Sequence, residues 1–290
     1  MFAIVLGAIL QGSGNACVSS LVDGRLIFWF IGLAFLMTAV VGQLTRWRAK
    51  RSDRHAMSFR WVVLLNVVTL VTFGAFYLSL LWLPGSFAAG VEMAVAPCMT
   101  LVIGAVRGQS AKLRSWLLAA ALLAVSAAFG WSQEASSFHG VRGLVTGVVL
   151  AALAGTGTAC LAVISRHLGD AGVNASDLMA TRYHLTYVAA FVVALSASGA
   201  SLATVSAFAW LAPLGLAAVV LPLSLIQFGM MRTSPLISVV IMSFVPAASF
   251  VVEVAAFGHP STWFSWTLVA ALVAMIAILG WSGTDNEQVS

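Results

Sequence analysis

Ten apolar runs of about 20 residues recur along the chain, and that length is what an α-helix needs to cross roughly 30 Å of hydrocarbon. They are Phe2 to Val22, Leu26 to Thr45, Trp61 to Leu83, Gly85 to Val106, Ser115 to Trp131, Gly143 to Ser165, Leu178 to Ala197, Ala207 to Met231, Thr233 to Phe257 and Trp263 to Trp281. The runs are continuously apolar rather than alternating, which predicts helices that satisfy their own backbone in lipid and not barrel strands. With 61% hydrophobic and only 8% charged residues, the chain has too little polar surface for a soluble domain. The longest polar stretch, Arg46 to Arg60, is no more than a loop, which disfavours an enzyme with a water-exposed catalytic domain. The seventh run is the least uniform, with Asp177, Arg182 and His184 around its first turns.

Tryptophan prefers the headgroup level, and Trp61, Trp82, Trp116, Trp131, Trp263 and Trp281 all fall at run ends. No basic residue precedes the first run, so it is expected to stay in the mature protein rather than to be removed as a signal. Cys17, Cys98 and Cys160 fall inside predicted helices and read as small core residues, with no disulfide framework, metal or cofactor implied.

The cations follow alternate loops. With a cytoplasmic N-terminus, Arg46, Arg48, Lys50, Arg51, Arg54, Arg60, Arg107, Lys112, Arg114, Arg166, Arg182 and Arg232 face inward, and only Arg25 and Arg142 face outward. That bias orients short loops during insertion and predicts both termini in the cytoplasm; the short loops suit the inner membrane of the cell. It also explains the basic balance without nucleic acid.

The chain repeats itself. GSGNAC at Gly12 to Cys17 recurs as GTGTAC at Gly155 to Cys160, an offset of 143 residues, and Pro97 corresponds to Pro246, an offset of 149. The fifth run, SWLLAAALLAVSAAFGWS from Ser115, aligns without gaps on SWTLVAALVAMIAILGWS from Ser265, with 11 of 18 positions identical. The expected organisation is a first five-helix unit over 1–135, a second over 140–282 and a short cytoplasmic tail over 283–290. Because five is odd, the second unit enters the membrane from the other side. The expected fold is therefore all-α and integral to the membrane, with ten transmembrane helices as two inverted five-helix repeats, a plan that supplies two conformations of similar energy.

Five plus five helices with short loops, and a proline in the fourth and ninth, resemble the drug/metabolite transporter superfamily, EamA-like branch. The segments carrying the likeness are YLSLLWLPGSFAAGVEMAVAPCMTL from Tyr77 to Leu101 and FGMMRTSPLISVVIMSFVPAASF from Phe228 to Phe250. The resemblance implies a transporter of amino acids, metabolites or drugs, with helices 3, 4, 8 and 9 lining a central cavity and helices 5 and 10 at the periphery. Met230, Met231 and Arg232 in the second turn, and Glu92 and Glu253 in helices 4 and 9, depart from the usual pattern.

Ionisable groups inside a membrane are costly and mark functional candidates. Glu92, about two turns into helix 4, and Glu253, about one turn from the outer end of helix 9, are the two acids, suited to proton coupling or cation recognition. Glu253 lies close enough to the interface for its carboxylate to reach water, and each acid has a structural alternative as an interhelical hydrogen-bond acceptor. Gln11 and Asn15, four apart on one helix face, offer amides to a polar solute or to a neighbouring helix. Tyr77 and Trp82 near one end of the bundle, and Tyr183, His184 and Tyr187 near the other, read as aromatic walls or interfacial anchors. Asn66 and Gln227 sit in the inner parts of helices expected to face the cavity.

The leading expectation is a secondary transporter, an exporter of a small metabolite, amino acid or amphipathic drug, driven by protons or by the solute's own gradient. Its expected partners are the small-molecule substrate, the lipid bilayer and protons, in a monomer or a homodimer. A membrane-embedded enzyme acting on a lipid or isoprenoid, and a non-catalytic assembly partner, are the alternatives. Neither paired aspartates nor a Ser/His set at one depth supports the enzyme.

Overall fold

The computed structural model describes residues 1–48, 57–132, 140–198 and 202–284. Most of the basic loop after the second run and the last six residues lie outside them. The helices are α1 Phe2–Leu21, α2 Ile27–Arg48, α3 Phe59–Ser79, α4 Gly85–Val106, α5 Leu113–Ser132, α6 Gly140–Asp170, α7 Ala175–Thr181, α8 His184–Ser198, α9 Leu202–Gly215, α10 Leu221–Met230, α11 Pro235–Met242, α12 Phe244–Phe257 and α13 Trp263–Thr284. Eight segments are long and apolar enough to cross a membrane, with α7 and α8, α9 and α10, and α11 and α12 each joining into one. The described apolar stretches of α5 and α13, Leu113–Phe129 and Trp263–Met275, are shorter. The protein is thus an all-helical, multi-pass membrane protein.

Three of the passes are interrupted, each for a local reason. In the seventh, the helix stops at Thr181 and restarts at His184. In the eighth, α9 and α10 are joined by a π-helical turn, Leu216–Val220, flanked by Pro213 and Pro222. In the ninth, the break at Ser243 lies one turn before Pro246, whose missing N–H leaves the Met242 carbonyl without its usual partner. Pro97, its sequence counterpart, stays inside a continuous α4. The sixth pass extends beyond the expected Gly143 to Ser165, running from Gly140 to Asp170.

Packing follows a regular scheme. α1 lies against α10, the π-helical turn and α12, while α6 lies against α3 and α4. α2 packs on α7 and α8, α4 on α12, and α5 on α13. Exchanging each pass for the one five later converts the neighbours of α1 into those of α6 and leaves the other three pairings unchanged. Between helices in lipid the attraction is close van der Waals contact, so small residues sit where backbones meet. A Cβ at Gly14 would fall 2.5 Å from Ala218 Cα, and one at Gly157 would overlap the Thr72 side chain. Gly12 presses on the Val245 carbonyl and Gly155 on the Glu92 carbonyl. The two GxGxAC segments therefore do the same packing work in their respective passes.

Candidate functional site

At the face opposite to the start of α1, Glu253 closes a corner. The first turn of a helix has backbone N–H groups with no intrahelical acceptor. The Ser86 N–H of α4 donates to Glu253 Oε1 at 3.0 Å, and Ser19 Oγ on α1 donates to the same oxygen at 3.5 Å. A carboxylate at a helix N-terminus is favoured by the helix dipole as well as by the bond. Gly85 makes room for it, since a Cβ there would stand 2.9 Å from the Asn15 carbonyl and 3.0 Å from Glu253 Oε1. Glu253 is 1% exposed, which corrects the expectation that its carboxylate reaches water. Its position near the end of the helix is as expected, but α4 and α1 cover it.

Deeper in the bundle, Glu92 on α4 is buried at 3% exposure against α6, where Thr158 Oγ1 donates to its Oε1 at 2.7 Å. Its Oε2 is buried without a partner. A hydrogen bond between membrane helices is worth about 0.6 kcal/mol. Placing an acidic side chain at mid-helix costs about 3 kcal/mol, so Thr158 alone does not offset the burial. Tyr77, within electrostatic reach of Glu92, belongs to an aromatic cluster with Phe30, Phe35 and Phe76 at ring-centroid separations of 5.4–6.1 Å. Gln11 Oε1 and both amide atoms of Asn15 are buried on α1 without partners.

At the face where α1 begins, here the N-terminal face, the break in the seventh pass is held by amides. Gln43 Nε2 donates to the Ala180 carbonyl at 2.9 Å, and Asn66 Nδ2 to the Thr181 carbonyl at 2.7 Å. Asn66 Oδ1 accepts from the Leu185 N–H at 3.0 Å. These bonds replace the helical ones lost at the break, as backbone groups at membrane depth require. Asn66, expected to contact solute, is therefore engaged in holding the break.

Arg182 occupies that break. Counted in the sequence among cytoplasmic loop cations, it is buried at 4% exposure, donates to Gln227 Oε1 on α10 and lies over the Tyr183 ring, 4.8 Å from its centroid. Asp177, one turn earlier, pairs with Arg46 at 2.8 Å. His184 Nδ1 and the Tyr187 hydroxyl lie 3.0 Å apart and line a cleft of about 400 Å³ with Gln43, Arg46 and Trp47. A second cavity of about 400 Å³ opens on the same face between the ends of α4 and α6 and the start of α11, lined by Thr100, Gly104, Arg107, Val163, Arg166 and Pro235 among others.

The predicted residues thus fall into three layers: Glu253 with Asn15 near one face, Glu92 with Tyr77 deeper, and Asn66, Gln227 and His184 toward the other. Sequence reasoning overlooked Ser86 and Thr158 as partners of the acids, and Arg182 as a buried cation. The signal for Arg182 was its place seven residues inside the pass that begins at Ala175. The cysteines are free and partly exposed rather than core residues. Among the described residues no group of three or more His, Cys, Asp or Glu side chains suits a metal ion.

No family model and no curated protein matches the chain. A solved structure described only as "Crystal structure of protein" is similar to it, with a TM-score of 0.71 and 18% identity over 96% of each chain. At that identity the likeness speaks for the fold alone.

Proposed function

We propose that the protein is a secondary transporter, an exporter of a small metabolite, amino acid or amphipathic drug, working by alternating access between two inverted five-helix repeats in the cytoplasmic membrane, with both termini inside. The observation that carries this reading is the exchange pattern in the packing: α1 against α10 and α12, α6 against α3 and α4. The matching contacts of Gly14 with Ala218 and Gly157 with Thr72 support it at the level of residues, since each glycine seats its pass on the third or eighth. Two units built alike and inserted oppositely have two ways of leaning on each other, one open to each side. The resemblance to the drug/metabolite transporter superfamily agrees with this reading.

In it, Glu92 is the coupling carboxylate. One oxygen is fixed by Thr158 and the other is free to hold a proton or a cationic group. The test is flux into proteoliposomes containing purified protein, under an imposed pH gradient, for panels of amino acids, organic acids and cationic amphiphiles, beside Glu92→Gln. Flux that requires the gradient and is lost in Glu92→Gln supports both the transport reading and the role of Glu92. Unchanged flux in the variant reduces Glu92 to a packing residue, and absence of flux for every solute rejects the transport reading.

A further inference from the structure

We propose that Arg182, Gln227 and Tyr183 form a binding site for the carboxylate of an amphipathic organic acid, and that such acids are the solutes carried; the second half rests on the transport reading above. Arg182 is a cation buried within the bundle, and among the described residues no carboxylate lies within 4 Å of it. The one acid on the adjoining helix turn, Asp177, is paired with Arg46. The guanidinium spends a donor on Gln227 Oε1, yet its Nε is buried without a partner.

The chemistry around it is one-sided. A guanidinium only donates, so Gln227 must turn its carbonyl toward it, which leaves the Gln227 Nε2 amide buried with no acceptor. The Tyr183 hydroxyl, carried by the ring beneath the guanidinium, is buried and its proton finds no acceptor. Three unsatisfied donor groups, one of them cationic, match a monoanion with two oxygens, and a planar fork of N–H groups fits a carboxylate best. α8 begins at His184, immediately after the pair, and brings the positive end of a 15-residue helix to the same place. Broken helices of this kind present their termini to solute at the interface of repeats.

The rest of the solute would be apolar. The Tyr183 ring continues into Phe35 and Phe73, with centroids 5.5 and 6.5 Å away.

Two readouts on the purified full-length protein separate the binding site from transport. In detergent, benzoate is expected to raise the thermal midpoint of the wild type, and phenyl phosphate and tetraphenylphosphonium to raise it less or not at all. In proteoliposomes, labelled benzoate is expected to show saturable counterflow. Arg182→Gln should weaken both by about tenfold or more, the usual effect of losing a charged hydrogen-bond partner, and Arg182→Lys should restore part of the affinity. Gln227→Glu guards against a variant that simply fails to fold: it places an internal carboxylate beside Arg182, so the protein should be at least as heat-stable as the wild type and blind to benzoate. Benzoate binding that survives both Arg182→Gln and Gln227→Glu, or a preference for the phosphate or the cation, overturns the proposal. Stabilisation by benzoate with the predicted variant pattern but no flux of any solute would keep the site and reject the transport reading instead.

Discussion

Two corners of the bundle are built from corresponding pieces and end in opposite states. At one, the end of α12, the end of α1 and the start of α4 are drawn together by Glu253, which accepts from the Ser86 N–H. At the other, the end of α4, the end of α6 and the start of α11 surround a cavity of about 400 Å³. By the offset that separates Pro97 from Pro246, Glu253 corresponds to Gly104 and Ser86 to Pro235, and both counterparts line the cavity. Glycine has no carboxylate to accept a hydrogen bond and proline no N–H to donate one. The closing bond therefore has an equivalent place on the N-terminal face but no equivalent residues. On the repeat reading proposed above, a shared packing plan leaves it to a few side chains which corner is held shut.

The largest effect is expected where the shared plan itself is broken. Gly12→Val and Gly155→Val would each drive a side chain into the backbone of the facing pass, at the Val245 and Glu92 carbonyls, and overpacking of this kind costs about 3 kcal/mol or more. Both should abolish the monodisperse species on size exclusion; a normal peak for one and loss for the other would end the equivalence of the two motifs.

Next comes the latch. Glu253→Ala leaves the Ser86 N–H buried without an acceptor, a penalty of about 3 kcal/mol or roughly a hundredfold in the balance between closed and open corners. Spin labels at Leu81 and His259, in a background lacking Cys17, Cys98 and Cys160, should report a longer and broader distance in the variant than in the otherwise unchanged protein. A smaller shift, of about 1 kcal/mol, is expected from building the missing bond on the other side. Gly104→Glu with Pro235→Ala restores an acid and an N–H at corresponding positions, and labels at Arg107 and Thr233 should then move closer. Ser19→Ala removes the 3.5 Å contact to Glu253 and the hydroxyl's 3.1 Å bond to the Ala16 carbonyl of its own helix. Its midpoint of thermal unfolding should change by no more than about 0.5 kcal/mol in equivalent stability; a large loss would mean that Ser19, not Ser86, is what Glu253 chiefly holds.

The passes were legible because apolarity over 20 residues is a property of each segment alone. Gly12, Gly14, Gly155 and Gly157 stand out in the sequence as a repeated pattern, but the helices they pack against do not. What escaped depends on residues far apart in the chain. Glu253 looked like an acid near water because hydropathy does not register the Ser86 N–H, 167 positions earlier, that takes it inside. Arg182 looked like a loop cation because counting charges by loop treats every arginine near a helix end alike. The break that buries it is held by Asn66 and Gln43, two amides whose work on the Thr181 and Ala180 carbonyls becomes visible only in three dimensions. The acids were found, and their partners were not, because a buried charge stands out in an apolar run whereas Thr158 does not.

Alternating access requires that the two corners exchange states, which paired distances measured on one preparation can decide. Spin-label pairs at Leu81 with His259, and at Arg107 with Thr233, would be recorded in proteoliposomes across pH and with each solute of the flux panel. Alternating access predicts two populations in each pair, with every condition that lengthens one distance shortening the other. Distances that change independently, or a corner near Glu253 that stays closed under all conditions while solute is carried, would contradict it.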